Sequence, residues 1–488
     1  MTVIALSALI PCATIIITIL WLKRSAVWAA ALGLIVTIVI WALSVFASPT
    51  NTHIQNALVD ATILQILVAI VIIPGLIFIV LCERTGATSA VGEILKKLDL
   101  NPKMTAIIIA TGFGVLIESL TGFGVSLLIT VPLLAKRFER NQAIGLGLIG
   151  MSLMPWGALG ISAHLGSELA QIPLYQLTRM MWLISSPIAM ILPVLCLVFV
   201  SNTSWKDFKF AVYNGLVLAG AIGIGSHWIG VEIAGATGGI AVICMVILKA
   251  RGPSGPVYAL ATRKLIPYYL LIGSVLIQKI LLSYSEALGD TLTLSSGRIT
   301  FSVITSPGLA ILFSIFLTII FTRYQKKTVR FDLKFVPEIW QRAWQPLATI
   351  FLFTLSARLM VEIGATQALA EIISITGAYF SLLGVMVLGA ISGFATGSGI
   401  AGNALFMASA AAAGANFQAI DLFSAIQHVA AGQMAMTALP VGAILIAALP
   451  NHRSSDDQTV MRIGLTLNLV YICILGAAGI IILQSIIQ

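Results

Sequence analysis

Glu118 stands three residues ahead of Thr121-Gly122-Phe123-Gly124, deep inside the apolar stretch GVLIESLTGFGVSLLITVPLL (114–134). A carboxylate this far from the ends of an apolar run is costly in hydrocarbon, and such groups tend to mark proton or ion pathways. Flanked by Leu116, Ile117 and Leu120, Glu118 is the candidate proton carrier. A proton and an anion crossing together also lower the charge cost of the passage. A second glycine-rich break, Thr396-Gly397-Ser398-Gly399, lies 275 residues further on. A helix that begins just after such a break aims its free N–H groups and the positive end of its dipole at the break. Two facing ends of this kind make a carboxylate site. Thr121, Gly122, Gly124 and Ser126 would line one side, and Thr396, Gly397, Ser398, Gly399 and Asn403 the other. The competing reading of either cluster alone is that small residues merely let helices pack closely.

Other chemistry-bearing groups are few. Arg358 could clamp a carboxylate with two parallel hydrogen bonds and counts as a substrate-binding candidate. Glu362, one turn later on the same face, offers it a simple i,i+4 partner instead. His428 is a candidate proton relay beside the second break. Lys279, near the outer end of its span, is expected to snorkel. Pro155 and Pro440 follow the two breaks at similar depth and would unwind or kink their spans. His164, His227 and His428 have no metal-ligand spacing. The five cysteines form no CxxC pair and read as packing residues. The residues therefore call for no cofactor beyond a coupling ion, a proton first, with sodium left open.

The elements that must hold these residues are membrane helices. The 488 residues are 59% hydrophobic and 9% charged, with a mean hydropathy of +1.04, which no water-exposed surface could accommodate. Continuous apolar runs choose helices over a barrel. Twelve spans are predicted at about 4–22, 27–46, 61–82, 142–160, 178–200, 211–230, 233–248, 265–283, 303–322, 344–362, 420–448 and 460–487. The segments 104–135 and 379–410 are each about 32 residues, near 48 Å as one helix: too long to cross once and too short to cross twice. Re-entrant hairpins turning at the glycine breaks resolve this.

The basic residues support the same arrangement. With Lys23 and Arg24 inside and both odd segments returning to their own side, 23 of the 27 basic residues fall inside. Arg179 and Arg298 fall outside, and Lys279 and Arg358 lie within spans. The positive-inside rule then places both termini outside a bacterial-type inner (plasma) membrane. It also turns the formal charge of +9 into an orientation signal rather than a nucleic-acid footprint. The first hairpin enters from the cytoplasm and the second from outside. The chain thus divides into a first repeat (1–200), connecting helices (201–264) and a second, inverted repeat (265–488). The fold class is all-α polytopic, about twelve spans plus two hairpins, with the site expected between the halves near the midplane.

At these motifs the chain resembles the lactate permease family of proton-coupled 2-hydroxyacid carriers. GVLIESLTGFGVSLLITVPLL (114–134) is similar to that family's Ile-Glu-x-x-x-Gly-Phe-Gly hairpin, MPWGALGI (154–161) to the segment that follows it, and TGSGIAGNALF (396–406) to its second hairpin. Gly399 stands where the family carries an acidic or amide residue, and AGQMAMTALP (431–440) lacks the family's lysine. The resemblance implies a secondary active transporter taking up a small organic monocarboxylate such as L-lactate or glycolate by proton symport. A sodium-coupled carrier or an exporter of another organic anion is the alternative on the same fold. A homodimer is left open. A membrane enzyme would need paired acidic motifs, HExxH or a nucleophile with its base, and the sequence offers none. The inverted halves argue for alternating access over a channel.

Overall fold

The computed structural model describes residues 6–122, 124–251, 262–296, 298–324, 335–451 and 453–488. Phe123 of the first glycine motif and four of the basic residues assigned to the inside, Lys326, Lys327, Arg330 and Lys334, lie outside the described residues. The described chain is helical apart from a two-stranded antiparallel ribbon, β1 (Thr293–Ser295) paired with β2 (Thr300–Ser302).

The first half runs α1 (Leu9–Leu20), α2 (Ala26–Ala42), α3 (Asn51–Thr85), α4 (Ala87–Leu98), α5 (Pro102–Thr121) and α6 (Val125–Ala135). A broken helix, α7 (Arg140–Met151) and α8 (Ile161–Ala170), follows, and then α9 (Leu174–Val198). Two connecting helices, α10 (Trp205–Trp228) and α11 (Val231–Arg251), lead to α12 (Ile266–Tyr284) and α13 (Pro307–Tyr324). The order then recurs: α14 (Phe335–Glu362), α15 (Ala365–Ser374), α16 (Ala378–Thr396), α17 (Gly399–Ala415), the broken pair α18 (Ile420–Met434) and α19 (Leu439–Ala448), and α20 (Asp456–Ile487). Local chemistry marks the same corners twice. The long helices α3 and α14 both end at a left-handed glycine, Gly86 (φ +76°) and Gly364 (φ +80°), where a side chain would strain the turn. A short amphipathic helix follows each.

Among the described residues ten helices are long and apolar enough to cross a membrane, or eleven if the pair α18–α19, bent by 44°, counts as one. This count differs from the expected twelve in three places. α1 and α2 measure 12 and 17 residues among the described residues, and residues 1–5 ahead of α1 lie outside them. The segment 142–160 is not one helix. α7 stops at Met151, two single 3-10 turns occupy 154–160, and Leu159 adopts φ +52° before α8 resumes. Pro155 has no N–H to continue the helix, and Gly157 is extended (ψ 172°), so the chain unwinds where the sequence offers least resistance. Finally, α5 and α16, expected as arms of hairpins, span 20 and 19 residues and by length alone could cross.

The two halves interlock. α3 packs on α14 in antiparallel fashion, joined by Asp60–Arg358 at one end and Arg84–Glu338 (3.9 Å) at the other. α8 packs on α17, and α19 on α6; α9 packs on α18, and α20 on α7. Each broken helix therefore leans on the other half's second arm. Arg140 at the start of α7 fastens the far end of the molecule. Its Nε donates to Asp456 of α20 (2.6 Å) and its terminal nitrogens to the Pro450 and Asn451 carbonyls.

Candidate functional site

The break between α5 and α6 is fixed by two glycines that only glycine suits. Gly122 has φ +68° and ψ −164°, and a Cβ there would sit 2.5 Å from the Ala158 Cβ. Gly124, at φ +74°, starts α6. α5 itself carries a π-helical stretch, Ile108–Gly114, an irregularity common near functional sites. Across this tip Glu118 reaches back to the start of α6. One carboxylate oxygen accepts from the Ser126 hydroxyl (2.8 Å) and the other from the Gly124 N–H (3.4 Å). Glu118 is 3% exposed and Ser126 1%. The carboxylate thus occupies the positive end of α6 and fills the place where an anion from outside would dock. Thr121 is spent locally, its hydroxyl donating to the Ile117 carbonyl (2.6 Å).

The break between α16 and α17 is built differently. Gly397 sits at φ +69°, and a Cβ there would approach Ala438 at 3.3 Å and then Pro440. Thus each tip rests on the break of its own half's broken helix. Thr396 donates to the Ser392 carbonyl (2.8 Å), and Ser398 caps α17 through a long bond from the Ala401 N–H (3.4 Å). Among the described residues no carboxylate hydrogen-bonds the first turn of α17. Gly397, Ser398 and Gly399 are half-buried, whereas Gly122 and Gly124 are buried.

The two breaks meet through Asn403 and His428. His428 Nε2 lies 3.0 Å from the Pro155 carbonyl, which can only accept, so this nitrogen carries the proton. Nδ1 then accepts from the Asn403 amide nitrogen (2.8 Å), which also donates to the Ser162 carbonyl (2.8 Å). Those two partners fix the amide's orientation, and its oxygen finds no hydrogen-bond partner among the described residues, although Asn403 is fully buried. A buried acceptor without a protein donor is expensive and is satisfied by an ordered water, an ion or a ligand group. Pro155 itself presses on Gly432 of α18, where a Cβ would meet its ring at 2.8 Å. So α17, α18 and the unwound stretch between α7 and α8 converge on one polar centre.

The expected site residues therefore separate. Glu118, Ser126 and Gly124 form one closed cluster, Asn403 and His428 a second, and Thr396, Gly397 and Ser398 shape the second tip. Arg358 belongs to neither. Its Nε donates to Asp60 on α3 (2.8 Å), and a terminal nitrogen does the same, both residues being buried. This corrects the expected pairing with Glu362, which is taken by Arg298 and by Asn56 (3.2 Å). The guanidinium is thus committed to joining the two long helices. Lys279, expected to snorkel, has a partner within the protein. It donates to the buried Glu232 at the start of α11 (2.7 Å), which also faces His164 (3.2 Å). Asp60 and Glu232 were missed because each sits at the margin of an apolar run, where a charge ordinarily faces water. No sequence pattern names their partners.

Comparison with known proteins gives a family match along the chain. The family described as L-lactate permease matches residues 4–264 and 259–487. A protein described as L-lactate permease from Streptococcus iniae is 20% identical over 353 residues, which cover 67% of this chain and 73% of that one.

Proposed function

The chain belongs to the L-lactate permease family, a family of transporters, and is a multi-pass membrane protein; on that premise we propose that it carries a small organic monocarboxylate, L-lactate, glycolate or a close relative, across an inner membrane by proton symport. The observation that carries the coupling is Glu118, buried at the first tip and bonded to Ser126 and Gly124 on the opposite arm. As a carboxylate it holds both arms together. Once protonated it gives up an acceptor and loosens the start of α6. Proton uptake and movement of this tip are thereby tied to one group.

The substrate carboxylate is assigned to the second tip, where the start of α17 has only the Ser398 hydroxyl as its cap. The 2-hydroxyl, a donor, suits the unpaired amide oxygen of Asn403. His428 holds that amide in place and positions the site rather than relaying the proton, since both its nitrogens are engaged. The recurring order of elements and the exchanged packing of the two halves support two inverted repeats, 1–200 and 265–488, joined by helices in 201–264. α5–α6 and α16–α17 would then be re-entrant hairpins from opposite faces, moving in alternating access with both termini outside.

Purified protein in liposomes, given labelled lactate, glycolate or pyruvate and an inward proton gradient without sodium, should concentrate at least one of them. Glu118→Gln keeps an oxygen for Ser126 but removes the titration, so it should abolish accumulation while leaving a folded, monodisperse protein. Full concentrative uptake by that variant would remove Glu118 from coupling. A second reading rests on the same Asn403 oxygen, which would equally suit a sodium ion. Accumulation that follows an imposed sodium gradient and ignores pH would select it.

A further inference from the structure

A groove of about 750 Å3 lies where the start of α5 meets the start of α10 and the end of α11. Four lysines from three helices line it, Lys103, Lys206, Lys209 and Lys249, with Asp207 as the single acidic residue among the described lining residues. Asp207 is turned toward its own helix, accepting from the Ser204 N–H (2.9 Å) and hydroxyl (2.7 Å). None of the four lysines forms an ion pair among the described residues.

Beyond the lysines the lining is mostly apolar and partly exposed. Tyr213 is 54% exposed and Leu248 42%, and Phe210, Met104 and Ile107 also line the groove. On the same first turns of α10, Trp205 stacks on Phe208 (5.0 Å between ring centres), and the Lys209 ammonium sits 5.6 Å above the Trp205 ring. Tryptophan with lysine at the end of an apolar helix marks the headgroup level of a bilayer. A cationic rim at that level beside a partly exposed apolar lining matches one molecule that is negatively charged at one end and hydrocarbon at the other.

We infer that this groove is a binding site for an anionic phospholipid, whose phosphate sits among Lys103, Lys206, Lys209 and Lys249 and whose acyl chains lie along Tyr213 and Leu248. A soluble anion would use the rim and leave the apolar wall without purpose. Lys103 opens the first glycine-broken pair of helices, so the lipid would touch the element that carries Glu118 without touching Glu118 itself. The inference does not depend on the cargo or on the coupling ion.

The test is native mass spectrometry of the full chain in neutral detergent, titrated separately with phosphatidylglycerol and phosphatidylcholine. Phosphatidylglycerol should bind and survive activation that strips phosphatidylcholine. The quadruple variant Lys103→Gln, Lys206→Gln, Lys209→Gln, Lys249→Gln should weaken it by at least about tenfold, given the contribution of each basic residue near an anionic surface. The matching quadruple change to Arg should retain it. A second basic groove, with Lys96, Lys136 and Arg137, provides the control for bulk charge. Lys96→Gln, Lys136→Gln, Arg137→Gln should leave phosphatidylglycerol retention intact. Equal retention of both lipids, no loss in the quadruple Gln variant, or equal loss in the control triple each overturns the site. Displacement by inorganic phosphate would make it a site for soluble anions and overturn the lipid assignment. If the quadruple Gln protein does not fold, the doubles Lys103→Gln, Lys249→Gln and Lys206→Gln, Lys209→Gln read the two sides separately, each expected to show a partial loss.

Discussion

The two glycine breaks share a backbone solution and differ in what closes it. Between α5 and α6 a buried carboxylate, Glu118, bridges both arms through Ser126 and Gly124. Between α16 and α17 the closure is a serine hydroxyl at 3.4 Å, on a half-buried tip. A helix start is a place for negative charge. At the first tip the protein supplies that charge from its own chain, in a form that can be removed by protonation. At the second it supplies none, and leaves beside it a buried amide oxygen without a donor. On the proposed function one tip takes the coupling ion and the other the cargo, and two breaks with one backbone solution would then carry two different chemistries.

The sharpest way to strain this contrast is through the glycines. Gly122→Ala places a methyl group 2.5 Å from the Ala158 Cβ in a backbone region nearly reserved for glycine. It should cost about 3–5 kcal/mol, combining strain with overpacking. Gly397→Ala meets its neighbour only at 3.3 Å and should cost about 1–2 kcal/mol, the ordinary left-handed penalty. Thermal unfolding of the two purified variants in detergent compares them directly. Equal losses would mean the tips are packed alike.

Ser126→Ala removes a hydrogen bond to a carboxylate and should cost about 1.5–3 kcal/mol, with proton-driven uptake impaired more than equilibrium exchange. Ser398→Ala removes a helix cap and should cost only about 1 kcal/mol. Its main effect should be weaker substrate binding, seen as a raised KM with little change in kcat. If Ser398→Ala instead altered the pH dependence of uptake and Ser126→Ala altered KM alone, the two tips would have to exchange roles.

Much of this was legible in the residues. Length and hydropathy dictate membrane helices, and the matched TGFG and TGSG breaks mark where they stop. Glu118 stands out because nothing else charged lies within that apolar stretch. Pro155 and Pro440 announce the broken helices, although the extent of unwinding at 154–160 depends on Gly157 and Leu159 adopting conformations set by packing. What the sequence could not show was pairing at a distance. Arg358 has an obvious partner four residues away and chooses Asp60, 298 positions earlier, because α3 and α14 lie side by side. Lys279 and His164 meet over Glu232 for the same reason. Periodicity reports the neighbours of a residue on its own helix and is silent about the helix opposite.

The exchanged packing also sets a timetable for manufacture. α6 finds its partner α19 only after about 300 further residues have left the ribosome, which at roughly 5–20 residues per second is a delay on the order of tens of seconds. Through that interval Glu118 can already close on Ser126 and Gly124, but the severed helix lacks His428 and Gly432 of α18, which later pack on Pro155. The surfaces that α6 and the severed helix share with α19, α17 and α18 are therefore buried only once the second half has reached the bilayer.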